Sequence, residues 1–133
     1  MKPENTYRIF VIGGSTTFGT GTTSDSTTIS GFLQEKFDNE QFPKKIEVIN
    51  AGISGLFSGT EVGLIKEQIL EFNPDLLIIY DGWNDLRADN TAESLHNNWN
   101  LMCEFGRQNN FDVIIALQPI AGFGNKILTE QEV

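Results

Sequence analysis

Three residues whose chemistry suits acyl transfer each follow a short apolar run of the sequence: Ser15, Gly52 and Asn84. A serine hydroxyl can attack a carbonyl carbon. The backbone N–H groups of Ser15 and Gly52, with the side-chain amide of Asn84, can stabilise the oxyanion that this attack forms. Glycine suits position 52 because the backbone there must come close to a substrate. We therefore expect a catalytic site in which Ser15 is the nucleophile and Gly52 and Asn84 are oxyanion donors.

Four apolar runs predict the strands that must position these residues. They cover about 8–13, 45–50, 75–80 and 112–117, and they are apolar enough to be buried on both faces. Amphipathic segments at about 27–39, 58–72 and 90–108 predict helices between them. This alternation predicts an α/β fold with three layers, α/β/α, and a parallel, flavodoxin-like sheet of order 2-1-3-4. Because parallel strands end at one rim, the loops that carry the three residues are expected to meet there.

Local signals predict where the helices begin. Asp25 or Ser26 is expected to cap the first helix. Ser58, with Glu61 three residues later, predicts a capping box at the start of the second helix. Asn90 is expected to cap the third helix.

A single domain is predicted to occupy residues 1–133, and its sheet has one strand fewer than is usual for this fold. Doubly wound sheets usually have a fifth strand beside the fourth. The sequence ends one helix and one strand short of this, and 129–132 resembles only the first turn of a further helix. The apolar strand at 112–117 would then be an exposed edge. We predict a domain truncated at its C-terminus; the alternative is a complete four-stranded domain whose edge the C-terminal tail covers.

Composition excludes several classes of partner. A net charge of −9 and a pI near 4.4 argue against nucleic-acid binding, which favours a basic surface. No apolar run is long enough to span a membrane, and the polar N-terminus is unlike a signal peptide. We expect a soluble chain, cytoplasmic unless an upstream signal or anchor has been removed. The oligomeric state stays open.

Cysteine and histidine are too few for a metal centre or a disulfide. The one cysteine, Cys103, excludes an intrachain disulfide and is expected to be a buried, inert thiol. The one histidine, His96, falls about two turns into the third helix, roughly 9 Å along its axis. We expect His96 to be a partly exposed helix residue rather than a general base. No metal or organic cofactor is predicted.

Three short motifs resemble the SGNH (GDSL-like) hydrolase family, whose motifs carry Ser, Gly, Asn and His in that order. They are Gly13-Gly14-Ser15-Thr16-Thr17-Phe18-Gly19, Val48-Ile49-Asn50-Ala51-Gly52-Ile53-Ser54-Gly55 and Gly82-Trp83-Asn84-Asp85. The resemblance extends from about Tyr7 to Pro119, and Gly14 replaces the Asp that the family usually has there. It implies a serine esterase that forms an acyl-serine intermediate. Its substrate would be a small ester with a short acyl or O-acetyl group, possible alcohols being carbohydrates or lipids.

The family's fourth motif, Asp-x-x-His, does not occur in the sequence. The resemblance implies that it lies after a fifth strand, beyond Val133. Without its general base a serine hydroxyl is a poor nucleophile, so this chain alone is predicted to be weakly active or inactive.

Two other functions stay open. A strand followed by a Gly-, Ser- and Thr-rich loop also resembles the phosphate loop of flavodoxins, which binds FMN. Thr20 stands where a Walker A loop needs Lys, and Ser24 where a Rossmann fingerprint needs its third Gly. The second alternative is a non-catalytic relative that binds a ligand.

The remaining polar and aromatic residues of the loops receive weaker predictions. Asp85 is expected to support its loop by accepting backbone N–H groups, and Asp81 to be a loop or surface carboxylate. Phe18, Phe57 and Trp83 are expected either to line a substrate pocket or to pack on the domain.

Overall fold

A computed structural model describes residues 1–88, 90–119 and 130. These residues form a parallel sheet of four strands in the order β2-β1-β3-β4. The strands are β1 (Thr6–Gly13), β2 (Lys45–Gly52), β3 (Leu76–Asp81) and β4 (Asp112–Leu117). The predicted α/β class and strand order are confirmed.

Five α-helices among the described residues connect the strands or lie at their ends. They are α1 (Ser15–Phe18), α2 (Ile29–Asp38), α3 (Ser58–Glu67), α4 (Trp83–Arg87) and α5 (Ala92–Asn109). Turns of 3-10 helix cover Asp25–Thr27 and Ile69–Phe72. The sequence does not predict α1 and α4, because helices of four and five residues are too short to show an amphipathic period.

The hydrophobic core lies mainly on the side of the sheet covered by α3 and α5. Phe10 and Ile12 of β1 pack there with Leu77 and Ile79 of β3. The residues of β1 that face the other way are also buried, as expected for a central strand of a parallel sheet. Burying each large apolar side chain stabilises the fold by about 1.5–3 kcal/mol. The rim at the end of β1 is therefore built on a rigid strand.

For two helices the predicted N-cap lies one to three residues before the observed one, and for a third helix the predicted capping box is absent. Thr28, not Asp25 or Ser26, caps α2 by accepting the Gly31 N–H, and Thr91 caps α5. The capping box predicted for α3 is wrong, because Glu61 is fully buried and does not reach back to the start of the helix. The Ser58 hydroxyl and N–H donate instead to a carboxylate of another helix, described below.

β4 is the edge of the sheet within the described residues, where it pairs with β3 alone. Val113 and Ile115 pack on the core, whereas Ile114 and Leu117 are exposed. The predicted turn of helix at 129–132 lies outside the described residues, except for Glu130.

The longest described helix, α5, is half polar, and no helix of the described residues has the length and hydropathy of a transmembrane segment. Cys103, on α5, is half-buried rather than fully buried as predicted.

Candidate active site

Ser15 lies at the carboxyl end of β1, where it is the half-buried first residue of α1. Its carbonyl oxygen accepts the N–H groups of Gly19 and Thr20 at 3.1 and 2.9 Å, which closes the turn behind it. The strand must end in glycine, because a Cβ on Gly13 would lie 2.3 Å from the Tyr80 carbonyl oxygen. Tight backbone contacts therefore fix the turn that presents Ser15 at the rim.

Asn84, on α4, is brought against this turn. Its Nδ2 donates to the Leu56 carbonyl oxygen at 2.6 Å. A Cβ added to Gly14 would lie 2.3 Å from the same Nδ2, so the amide touches the backbone that precedes Ser15. A carboxamide nitrogen carries two N–H groups, so one remains for another acceptor. The structure thus brings Asn84 and Ser15 together, as the sequence predicts.

Gly52 is the last residue of β2, and it also lies beside α1. A Cβ there would lie 2.3 Å from the Phe18 nitrogen, so a side chain would displace the helix. The Gly52 N–H donates to Asn50 Oδ1 at 2.9 Å, and Asn50 Nδ2 donates to the Phe18 carbonyl oxygen at 3.3 Å. Gly52 is therefore near the Ser15 turn, but its N–H already has a partner within the protein.

Gly55 offers a second glycine N–H in the same loop, and the sequence analysis did not single it out. Its φ of +81° favours glycine, and a Cβ there would meet no atom within 4 Å. Its N–H makes no backbone hydrogen bond with the described residues. Gly55 directly precedes Leu56, whose carbonyl oxygen holds Asn84. Its position in a Ser-Gly pair of the second motif is the sequence signal that could have found it.

Asp85 ties this loop to the loop of Asn84. Its carboxylate accepts the Ser58 N–H at 3.0 Å, the Ser58 hydroxyl at 2.5 Å and Asn90 Nδ2 at 3.1 Å. Asn98 of α5 donates to the Ser58 oxygen at 2.8 Å. These bonds join the starts of α3 and α4, in agreement with the supporting role expected for Asp85.

Residues 11–132 match the family described as GDSL-like Lipase/Acylhydrolase. The chain belongs to this family. The resemblance seen in the three motifs is thereby confirmed, and the family favours a hydrolase interpretation of the Ser15 loop over a flavin-binding one.

Solved structures of a G-D-S-L family protein and of two esterases share the fold. A lipolytic protein of the G-D-S-L family from Desulfitobacterium hafniense DCB-2 is 22% identical with a TM-score of 0.74, and the match covers 86% of this chain and 62% of that one. The esterase EstA from Pseudoalteromonas sp. is 23% identical with a TM-score of 0.71, covering 87% and 63%. A two-domain esterase active on acetylated mannans is 21% identical with a TM-score of 0.70, covering 83% and 30%. This chain therefore spans less than two thirds of each protein. No curated protein matches the chain.

Three buried carboxyl groups lie behind the Asn84 loop of this GDSL-like domain: Glu61, Asp81 and Asp85 are 0, 1 and 2% exposed. Burial raises the pKa of Glu61 to about 9, and the charges of Asp81 and Asp85 add to the effect. Burial also raises the pKa of Asp81, although the hydrogen bond from the Gly82 N–H works to lower it. The expectation that Asp81 is a loop or surface carboxylate is wrong, because Asp81 is the last residue of β3 and is buried.

His96 is exposed on α5, as expected, and its Nδ1 lies 3.3 Å from Asn100 Nδ2 of the same helix. It takes no part in the hydrogen bonds that join Ser58, Asp85 and Asn84 to their loops. Among the described residues, no group of three or more His, Cys, Asp or Glu side chains is arranged to hold a metal ion.

A cleft of about 890 Å³ with a mixed polar and apolar lining adjoins Gly52 in this GDSL-like domain. Phe18, Asn50 and Gly52 line one end, and hydroxyl and amide side chains of the segment 19–39 line much of the rest. Phe18 is 56% exposed, whereas Phe57 and Trp83 are half-buried. Phe18 is therefore the aromatic residue of the three rim loops that is open to a substrate.

Proposed function

We propose that this chain supplies the nucleophile and the oxyanion hole of a serine esterase or acyl hydrolase that acts on a small ester. The observation that carries the proposal is the contact of the Asn84 amide with the backbone of Gly14, the residue before Ser15. A hydroxyl nucleophile and an amide donor on adjoining turns meet the two main requirements of acyl transfer.

The reaction proceeds in two steps through an acyl-Ser15. Ser15 Oγ attacks the acyl carbon while a general base takes its proton, and the carbonyl oxygen receives the electron pair and becomes the oxyanion. Collapse of this intermediate breaks the bond to the alcohol, which leaves with the proton from the base. Water then attacks the acyl carbon, releases the carboxylic acid and restores the Ser15 hydroxyl.

The oxyanion is held by the Ser15 N–H, by Asn84 Nδ2 and by one glycine N–H of the second motif. Gly52 is the donor predicted from the sequence, and it must leave Asn50 to act. Gly55 can act without that change. In Asn50→Ala the Gly52 N–H loses its partner, so a raised kcat would assign the role to Gly52 and an unchanged kcat to Gly55.

The general base is proposed to lie beyond Val133, since His96 is exposed on α5 and is the one histidine of the sequence. Hydrolysis of p-nitrophenyl acetate by the 133-residue chain is expected to be far slower than by a form that continues past Val133. Equal rates for the two forms would contradict this.

Labelling with a fluorophosphonate tests the nucleophile in the extended form. Ser15 is expected to carry the label, and Ser15→Ala is expected to lower kcat by at least about 10³-fold. Thr16→Ala, at the exposed neighbouring hydroxyl, serves as the matched control and is expected to label normally. A protein that binds an ester but is never labelled would be a non-catalytic relative.

The favoured substrate is an O-acetyl ester of a neutral carbohydrate. The hydroxyl and amide groups that line part of the cleft, with the exposed Phe18, suit a sugar, and the net charge of −9 disfavours an anionic one. A relative of the same fold acts on acetylated mannans. Phe18→Ala should raise KM for an acetylated oligosaccharide and leave KM for p-nitrophenyl acetate unchanged. Phe32→Ala, which removes an aromatic ring that is 59% exposed and outside the cleft, is the control.

A further inference from the structure

Two of the buried carboxyl groups have no role in the proposed reaction and are short of hydrogen-bond donors. Asp81 Oδ1 accepts the Gly82 N–H at 2.8 Å, but Asp81 Oδ2 and both oxygens of Glu61 have no donor among the described residues. Neither carboxyl is in an ion pair with those residues. Buried charges in such a position are strongly destabilising unless a proton or a cation compensates them.

A single proton resolves the conflict, because Glu61 and Asp81 are both buried and the Asp81 charge acts directly on Glu61. Two adjacent buried carboxyls cannot both stay ionised, and one shared proton converts repulsion into a hydrogen bond. The proton belongs on Glu61, since Asp81 receives a backbone N–H that favours its charged form and Glu61 receives none. The raised pKa of Glu61, about 9, agrees with this assignment.

We propose that Glu61 and Asp81 are positioning residues: protonated Glu61 donates to Asp81, and Asp81 in turn fixes the turn that carries Asn84. The inference rests on the proposed function of Asn84 as an oxyanion donor. Gly82, whose N–H Asp81 accepts, has a φ of +116° and directly precedes α4 as its N-cap. The pair therefore fixes the N-cap residue of α4, two residues before Asn84, whose amide contacts the Ser15 turn.

Loss of the Glu61 proton would add a second negative charge beside Asp81, with the Asp85 carboxylate close by on α4. No cation of the described helices α3, α4 and α5 is buried beside it, since Lys66, Arg87 and Arg107 are exposed. The other titratable residues of α5, which packs on α3, are exposed (Glu93, His96 and Glu104) or, for Cys103, half-buried. Repulsion would then weaken the hold of Asp81 on the turn. The oxyanion hole is expected to loosen in alkaline solution as Glu61 ionises.

Three Glu variants in the extended form test the pair by its effect on kcat. Glu61→Gln keeps a donor for Asp81 in a neutral side chain of the same shape, so its kcat at pH 7 should stay within about three-fold of wild type. Glu61→Met keeps the size but removes the donor, and its kcat should fall about ten-fold or more with KM little changed. Glu67→Gln, at an exposed position of the same helix, should match wild type.

The pH profile separates positioning from a merely structural role. Wild type should lose kcat with a midpoint near the Glu61 pKa of about 9, and Glu61→Gln should lack this loss. An equal loss in both proteins, or a Glu61→Met kcat equal to wild type, would overturn the proposal.

Trp83, between Gly82 and Asn84, gives a readout that needs no catalysis. In the Trp99→Phe background Trp83 is the one remaining tryptophan of the 133 residues. Its emission should change with a midpoint near pH 9 when Glu61 is retained, and should stay constant over the same range when Glu61→Gln is added. This result would support the pair even if no esterase activity were found and the proposed function failed. If the emission does not change between about pH 7 and pH 10 with Glu61 retained, the proposed Glu61–Asp81 pair is wrong. This outcome depends neither on esterase activity nor on whether Glu61→Met folds.

Discussion

Carboxyl groups at the two ends of the sheet have opposite electrostatic environments. At the amino end, Asp75 accepts the Lys2 ammonium and the Arg8 N–H, and Arg8 Nε donates to Glu47 at 2.5 Å. At the carboxyl end, Glu61 and Asp81 are buried without a cation among the described residues.

The pKa values follow this difference. Burial works to raise the pKa of Asp75, but the Lys2 and Arg8 hydrogen bonds and the charges of Lys2 and Lys44 outweigh it, so the pKa is lowered. Burial raises the pKa of Glu61 to about 9. One end therefore gains stability from an ionised carboxylate, whereas at the other end burial disfavours ionisation.

The largest expected effect is on how stability depends on pH at the carboxyl end. The unfolded chain releases the Glu61 proton above its ordinary pKa of 4.5, while the folded protein keeps it to about pH 9. The folded protein binds more protons in this window, so its stability falls as the pH rises, by up to about 1.4 kcal/mol per unit. Glu61→Gln should remove this slope, which urea unfolding at several pH values would measure. If Glu61→Gln leaves the dependence of the unfolding free energy on pH unchanged, a group other than Glu61 titrates in this range.

The next effect is on rate rather than stability. Asn84→Ala in the extended form should lower kcat by about 10²- to 10³-fold, because it removes a donor to the oxyanion. The free energy of unfolding should change by about 1 kcal/mol, the net value of the bond to Leu56. Steady-state kinetics with urea unfolding would measure both, and a large loss of stability with little loss of kcat would reverse the assignment.

The amino end should show the opposite behaviour. Arg8→Met removes the donors to Glu47 and to the Phe72 carbonyl oxygen at a position that is 5% exposed. It should destabilise the protein by about 2 kcal/mol and leave kcat unchanged below the melting temperature. Lys36→Met, which breaks an exposed pair with Glu40 at 3.8 Å, should cost about 0.5 kcal/mol or less. Equal losses in the two variants would remove the distinction between buried and surface pairs.

The smallest effect is expected at Asp75. Its lowered pKa means that it contributes stability above its ordinary pKa of 3.8 and loses it as the pH falls through the lowered value. Asp75→Asn should therefore destabilise the protein at pH 7, by about 1 kcal/mol or less because the Asp75 side chain is partly exposed, and should matter less at pH 3. Urea unfolding at the two pH values would measure this. At neutral pH, Asp75→Asn should thus lower the stability of the protein, whereas Glu61→Gln should raise it.

The sequence predicted the strands well because continuous apolar runs leave few alternatives. The predicted β4 has the observed bounds, Asp112–Leu117, and the three motifs lie at the ends of their strands. Helix starts were less accurate, since several Ser, Thr and Asp residues near each start compete for the same N–H groups. Thr28 and Thr91 form the observed caps, although neighbouring residues are of types that cap helices equally well.

At the candidate site, the sequence predicted Ser15, Gly52 and Asn84 as the residues that do chemistry, but it did not single out Gly55. The strand order 2-1-3-4, predicted by analogy with flavodoxin-like sheets, is confirmed. Only the tertiary structure decided which glycine N–H is free, and that Glu61 and Asp81 face each other out of water. Ser58 and Glu61 have the spacing of a capping box, and nothing local shows that Asp85, from another helix, takes the place of the cap. Hydrogen-bond partners and burial depend on residues far apart in the chain, so local patterns cannot reveal them.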